Sequence, residues 1–143
     1  MRFWDSSSLL PLFVREAHSP VIEALVADDP DMMVWWASPV ECASAVHRLR
    51  REGVFTPAET AQVLAVIAGA LDAATVVQPG VELCATALRL LATHPLRAAD
   101  ALQLAAALLW ARNRPSGRDF ICLDERLRTA AIHEGFAVLP EAV

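Results

Sequence analysis

A chain of 143 residues, 55% of them hydrophobic and only 20% charged, makes one domain over residues 1–143, with enough apolar material for a continuous core and a surface short of charge that a partner would cover. The formal net charge of −5 argues against indiscriminate electrostatic binding to nucleic acid. All 12 basic residues are arginine, which excludes lysine-dependent phosphate loops and Schiff-base chemistry.

Residues 2–5 read as a short apolar strand with Asp5 at its carboxyl end, and Ser6, Ser7 and Ser8 offer N-caps for a helix over the apolar stretch 9–14. Residues 20–27 form a second helix, the turn formers Asp28, Asp29, Pro30 and Asp31 follow, and 32–36 is a buried strand. Ser38, Pro39 and Glu41 spell a helix start, with serine at the cap, proline at the first position and glutamate at the third. This helix runs to about Glu52. Thr56, Pro57 and Glu59 repeat the signal and open a helix to about Leu71. A β-branched stretch, 75–77, precedes a helix over 81–92, which His94 and Pro95 end. Residues 96–111 are apolar on nearly every face, the pattern of a helix packed on several sides. A polar loop, 112–117, leads to a strand over 120–123 ending at Asp124, a helix over 126–134 closed by Gly135, and a last strand over 136–139.

Short, continuously apolar strands alternating with helices predict a mostly parallel sheet of about five strands covered on both faces, a three-layer α/β sandwich. In such sheets ligands bind beyond the carboxyl ends of the strands, where the strand order reverses. Asp5 and Asp124 both end apolar strands. Glu41 and Asp100 lie in the first turns of helices that follow chain breaks, so all four acids are expected to meet at one sheet edge. Taken singly, each has a structural explanation: a turn at Asp5, a capping box at Glu41, a helix first turn at Asp100, an N-cap at Asp124. Taken together, close carboxylates would repel by roughly 4 kcal/mol per pair at an effective dielectric of 20. A cation is the expected compensation. Oxygen-only ligands favour magnesium or manganese over zinc, and such an ion suits phosphodiester hydrolysis by water.

In this scheme Asp5 and Asp124 are direct ligands, Asp100 is a ligand or a water orienter, and Glu41 binds directly or through water. Ser7 holds a carboxylate or a metal-bound water, with helix capping as the competing role. Arg97 supports Asp100 by an i, i+3 contact or touches substrate phosphate. Arg48, Arg50, Arg51, Arg112, Arg114 and Arg118 are candidate phosphate contacts against a background of ordinary solvated faces. Cys42, Cys84 and Cys122 read as reduced core thiols. His18, His47, His94 and His133 lack ligand spacing. Apolar runs such as 63–71 and 104–111 fall far short of the roughly 20 residues that cross a bilayer. No secretory signal is evident, so a cytoplasmic location is expected.

Four segments carry a resemblance to a known family: Phe3-Trp4-Asp5-Ser6-Ser7, Glu41 early in its helix, the run from Leu96 through Asp100 to Ala105, and Phe120-Ile121-Cys122-Leu123-Asp124. The chain resembles PIN-domain nucleases, and among them the VapC-type toxins of bacterial toxin–antitoxin pairs. Many members have threonine or serine where Cys122 stands, and Glu125 is an alternative to Asp124. The resemblance implies a PIN-like fold, a homodimer, magnesium-dependent endoribonuclease activity on a structured RNA, and a VapB-like antitoxin that covers the active site. Competing readings are a phosphoaspartate phosphatase, which the serine at position 7 and the lack of lysine disfavour, and a catalytically silent PIN-like module for dimerisation or binding. Trp35 and Trp110 are candidates for apolar surface beneath a partner.

Overall fold

The computed structural model describes residues 1–142. Its strands are very short, and two-residue alternation along them divides the core between two faces of one sheet. They are β1 (Arg2–Trp4), β2 (Met32–Trp35), β3 (Thr75–Val77), β4 (Asp119–Ile121) and β5 (Ala137–Leu139). All pair in parallel, in the order β3-β2-β1-β4-β5. Phe3, Met33, Trp35 and Phe120 point to one side, where they join a core built from the helices α5 (Val81–Thr93), α6 (Ala98–Trp110) and α7 (Glu125–Glu134). Trp4, Val34 and Ile121 point to the other. There they meet α1 (Ser6–Leu9), a 3-10 turn (Leu10–Leu12), α2 (Ser19–Asp28), α3 (Ser38–Arg51) and α4 (Pro57–Asp72). The expected three-layer α/β architecture with a five-stranded parallel sheet is therefore what the chain adopts. Phe3 and Phe120 stack across the β1–β4 pair with centroids 5.4 Å apart. Burying each such ring contributes roughly 1.5–3 kcal/mol.

Connection handedness explains the layering. Right-handed crossovers carry the chain from β1 through β2 to β3 with helices on one face, then back across to β4 and on to β5 with helices on the other. The direction of travel reverses between β1 and β4, which opens a crevice beyond their carboxyl ends. Register places residues there: Phe3 pairs with Phe120 and Trp4 with Ile121, and the Asp5 N–H donates to the Ile121 carbonyl at 2.9 Å. Asp5 thus leaves β1 beside Cys122. The all-round apolar α6 is packed as its pattern predicts, with seven of its residues buried.

Several local expectations are corrected. Asp5, not a serine, caps α1; it is the residue whose backbone is extended at the strand exit. Ser38 is not an N-cap. Ala37 occupies that position in helical geometry without a side-chain bond, so Glu41 does not close a capping box. Thr56 and Glu59 do form one at the start of α4. Cys84 is exposed while Cys42 and Cys122 are buried, because Cys84 lies on the outer face of α5 with Val81 and Leu88. Trp35 is buried, whereas Trp36, just past the end of β2, is 55% exposed. Trp110 is half-buried beneath the Arg118 guanidinium. Among the described residues no helix is long and apolar enough to cross a membrane.

Candidate active site

Beyond the carboxyl ends of β1 and β4 lies an open depression of about 350 Å³. Asp5, Glu41, Asp100 and Asp124 all line it, with Ser6, Ser7, Glu16 and Arg48. The four acids arrive from four places in the chain: the exit of β1, the first turn of α3, the first turn of α6 and the N-cap of α7. Glu125, one residue on, is exposed and faces a different cavity, so Asp124 is the acid at this edge. Of the candidate phosphate-binding arginines, Arg48 lines the depression.

Each acid is oriented by a hydrogen bond to one of its oxygens. Asp5 Oδ2 accepts from the Ser7 N–H at 2.9 Å and from the Ser7 hydroxyl at 2.5 Å. Ser7 Oγ in turn accepts from the Leu123 N–H at 3.0 Å, which ties the β1 exit to the segment that delivers Asp124. Ser8 reinforces this junction by donating to the Asp5 and Ile121 carbonyls. Asp124 Oδ1 accepts from the Arg126 and Leu127 N–H groups at 3.0 Å each, a carboxylate held by the positive end of α7. Asp100 Oδ2 accepts from the Arg97 N–H at 3.2 Å. The support expected from Arg97 therefore comes from its backbone. Its guanidinium makes no ion pair with Asp100 among the described residues.

Glu41 has a partner that the sequence does not advertise. Gln103, 1% exposed at the centre of α6, directs its amide nitrogen to Glu41 Oε2 at 3.0 Å, Ser6 Oγ at 2.7 Å and Ser38 Oγ at 3.4 Å. Its Oε1 is buried without a hydrogen bond. One amide thus ties the starts of α1 and α3 to the centre of α6 beneath the depression. The available signal was a single polar residue within the apolar run 101–109. Cys122 contacts the first acid rather than the carboxylate of the fourth. Its Sγ lies 3.6 Å from Asp5 Oδ2 and from the Asp124 backbone carbonyl. Burial, with the nearby Asp5 charge, pushes the thiol pKa up, so Cys122 is a neutral, weak donor.

Electrostatically the acids are not paired with the one arginine at the depression. Burial pushes the Asp5 pKa up to about 6 despite the opposing Ser7 hydrogen bonds, and the charge of Glu41 adds to the rise. Glu41 is also raised, chiefly by burial, against hydrogen bonds from Gln103 and Ser6 and with a contribution from Asp100. None of the four acids forms an ion pair among the described residues. An all-oxygen donor set around an uncompensated buried carboxylate fits a hard divalent cation by its chemistry. The acids ring the depression rather than meet at a point: no three His, Cys, Asp or Glu side chains among the described residues converge tightly enough to hold an ion as placed.

No family model matches this chain. No curated protein matches it in sequence. In three dimensions it is similar to the crystal structure of FitAcB from Neisseria gonorrhoeae, with a TM-score of 0.63 and 14% sequence identity over 96% of each chain. At that identity the likeness is one of fold, and it extends over almost the whole of both chains.

Proposed function

We propose that this protein is a magnesium- or manganese-dependent endoribonuclease of the PIN-domain kind, the toxin of a VapBC-like toxin–antitoxin pair, hydrolysing phosphodiester bonds in a structured RNA. The observation that carries this reading is the convergence of four carboxylates from four separate elements on one depression at the sheet's switch point, none of them in an ion pair among the described residues. Structural roles account for parts of this set. Asp124 caps α7, yet capping occupies only Oδ1. Glu41 is free of the capping box that would have explained it.

Asp5, Asp124 and Asp100 would hold the ion, with Glu41 binding directly or through water. When bound there, such an ion would supply a lowered pKa for water and neutralisation of charge on phosphate and leaving oxygen. The chain's own part is positional. Ser7 fixes Asp5 and keeps it in register with the Asp124 segment, while Gln103 fixes Glu41. Arg48, at the rim, supplies a positive charge for the RNA backbone. Exposed apolar side chains such as Trp36, Val40, Val81 and Leu88 offer the surface that a second copy and an antitoxin would cover.

The test is incubation of a total RNA pool with purified, antitoxin-free protein and magnesium or manganese, beside Asp5→Asn and a chelated control. Discrete fragments are expected from the wild type and from neither control. Intact RNA throughout, with folded protein and no metal-linked rise in thermal stability, replaces this reading with the silent binding module.

A further inference from the structure

A second cavity, of about 480 Å³, lies on the far side of the Asp124 turn. Asp124 lines the acidic depression, and the next two residues, Glu125 and Arg126, line this one. One wall is a single face of α7, where Arg126, Thr129 and His133 follow at helical spacing. The other wall is Thr93, His94 and Pro95, at the break between α5 and α6. The His94 and His133 rings stack with centroids 6.1 Å apart. The half-buried His94 is fixed by Glu134, whose Oε1 lies 2.8 Å from its Nε2. Arg89 holds Glu134 from behind with two bonds, of 3.0 and 2.8 Å. His94 is thus fixed in the wall and the exposed His133 ring lies against it, with two threonines and a guanidinium that makes no ion pair among the described residues around them.

We infer that this cavity is a nucleobase subsite, binding one unpaired base of the RNA whose backbone lies across the acids; the inference rests on the nuclease reading above. Single-stranded RNA is recognised by splaying bases onto flat side chains and reading their edges with hydrogen-bond donors and acceptors. The His133 ring, backed by His94, provides the platform. Thr93 and Thr129, whose hydroxyls donate to the Arg89 and Glu125 carbonyls, offer their oxygens as acceptors to a base edge, and Arg126, lining this cavity two residues after Asp124, offers its guanidinium to the connecting phosphate. With a net charge of −5, such a subsite would supply by stacking the affinity that counterion release supplies in more basic proteins. From Asp124 to His133 the helix rises ~14 Å, so the base bound here lies about two nucleotides from the cleaved bond and selects the cleavage position.

The test uses full-length Asp5→Asn protein, which binds without cutting, and follows the imidazole protons of His94 and His133 by NMR while short single-stranded oligonucleotides of A, C, G or U are added. At least one of the four sequences is expected to shift both sets of ring protons, with weaker binding after His133→Ala and recovery in His133→Phe. In the otherwise wild-type enzyme, His133→Ala is expected to raise KM several-fold and blur the cleavage position while leaving kcat within about twofold. Ring protons unmoved by every oligonucleotide, or a His133→Ala enzyme with wild-type KM and cleavage position, would overturn the subsite and leave the cavity to a protein partner. Failure of the nuclease reading looks different: no metal-dependent cleavage by the wild type itself.

Discussion

The two ends of β1 and β4 treat acids in opposite ways. At the amino-terminal end, Arg2 bridges Asp28 at 2.5 Å and Asp119 at 3.0 Å and donates to the Leu25 carbonyl, and the terminal amine pairs with Asp29. The Asp29 pKa is accordingly held below the usual carboxylate range, chiefly by its hydrogen bond to that amine. At the carboxyl end of the same strands, Asp5 and Asp124 form no ion pair among the described residues, and the Asp5 pKa is pushed up rather than down. One end is built for stability; the other carries a stability cost that the proposed cation would relieve. That asymmetry is what separates a candidate active site from a cluster of surface acids.

Breaking the carboxyl end should cost activity and not folding. Asp5→Asn keeps an oxygen for the Ser7 bonds and removes the buried charge, so metal-dependent RNA cleavage is expected to fall more than about 100-fold, beyond the range seen for outer-shell changes. Thermal melting should show no loss of stability.

Acidity sharpens the contrast. A buried acid whose folded pKa is raised from 3.8 to about 6 disfavours the folded state once the unfolded chain ionises. Its contribution to stability is therefore lost as pH rises from about 4 to 6, by up to about 3 kcal/mol in the metal-free protein. Asp29, lowered instead, contributes in the opposite sense and loses its stabilisation as pH falls below the normal aspartate range. Chemical denaturation of wild type and Asp5→Asn between pH 4 and 7 isolates the Asp5 part, and the wild type should gain less stability, or lose more, across that window.

Breaking the amino-terminal end should do the reverse. Arg2→Met removes a guanidinium with three partners and leaves part-buried Asp119 unpaired, at a cost of about 2 kcal/mol. The denaturation midpoint should drop while cleavage per folded molecule stays unchanged. The smallest effect is expected at Gln103. Gln103→Leu frees Glu41 and also removes the unsatisfied Oε1, so stability should change by less than about 1 kcal/mol while cleavage falls about tenfold.

These contrasts also mark what could be read from the chain alone. The strands were legible because each is a short apolar run, and α4 because Thr56 and Glu59 form a self-contained local signal. The four acids were legible as a set because their positions follow from strand ends and helix starts, which topology alone brings to one edge. The cap at Ser38 was misread because Ala37 carries the turn after Trp36 directly into α3, a tertiary choice that overrides a local motif. Asp5 competes with three serines for the α1 cap, and nothing local ranks them. Cys84 looked like core because its apolar neighbours at helical spacing mark a face of α5, and that face points outward. Gln103 stayed hidden because its role depends on Ser6, Ser38 and Glu41, which are distant in sequence. The cavity around His133 is invisible for the same reason, since its two walls are about 35 residues apart in the chain.

Thermal unfolding with manganese and with a chelator, for the wild type, Asp5→Asn and Asp28→Asn, tests the asymmetry most directly. The melting temperature should rise with metal in the wild type and Asp28→Asn and stay fixed in Asp5→Asn. A rise of equal size in all three, or none in any, would contradict a divalent-cation site at the carboxyl end of the sheet.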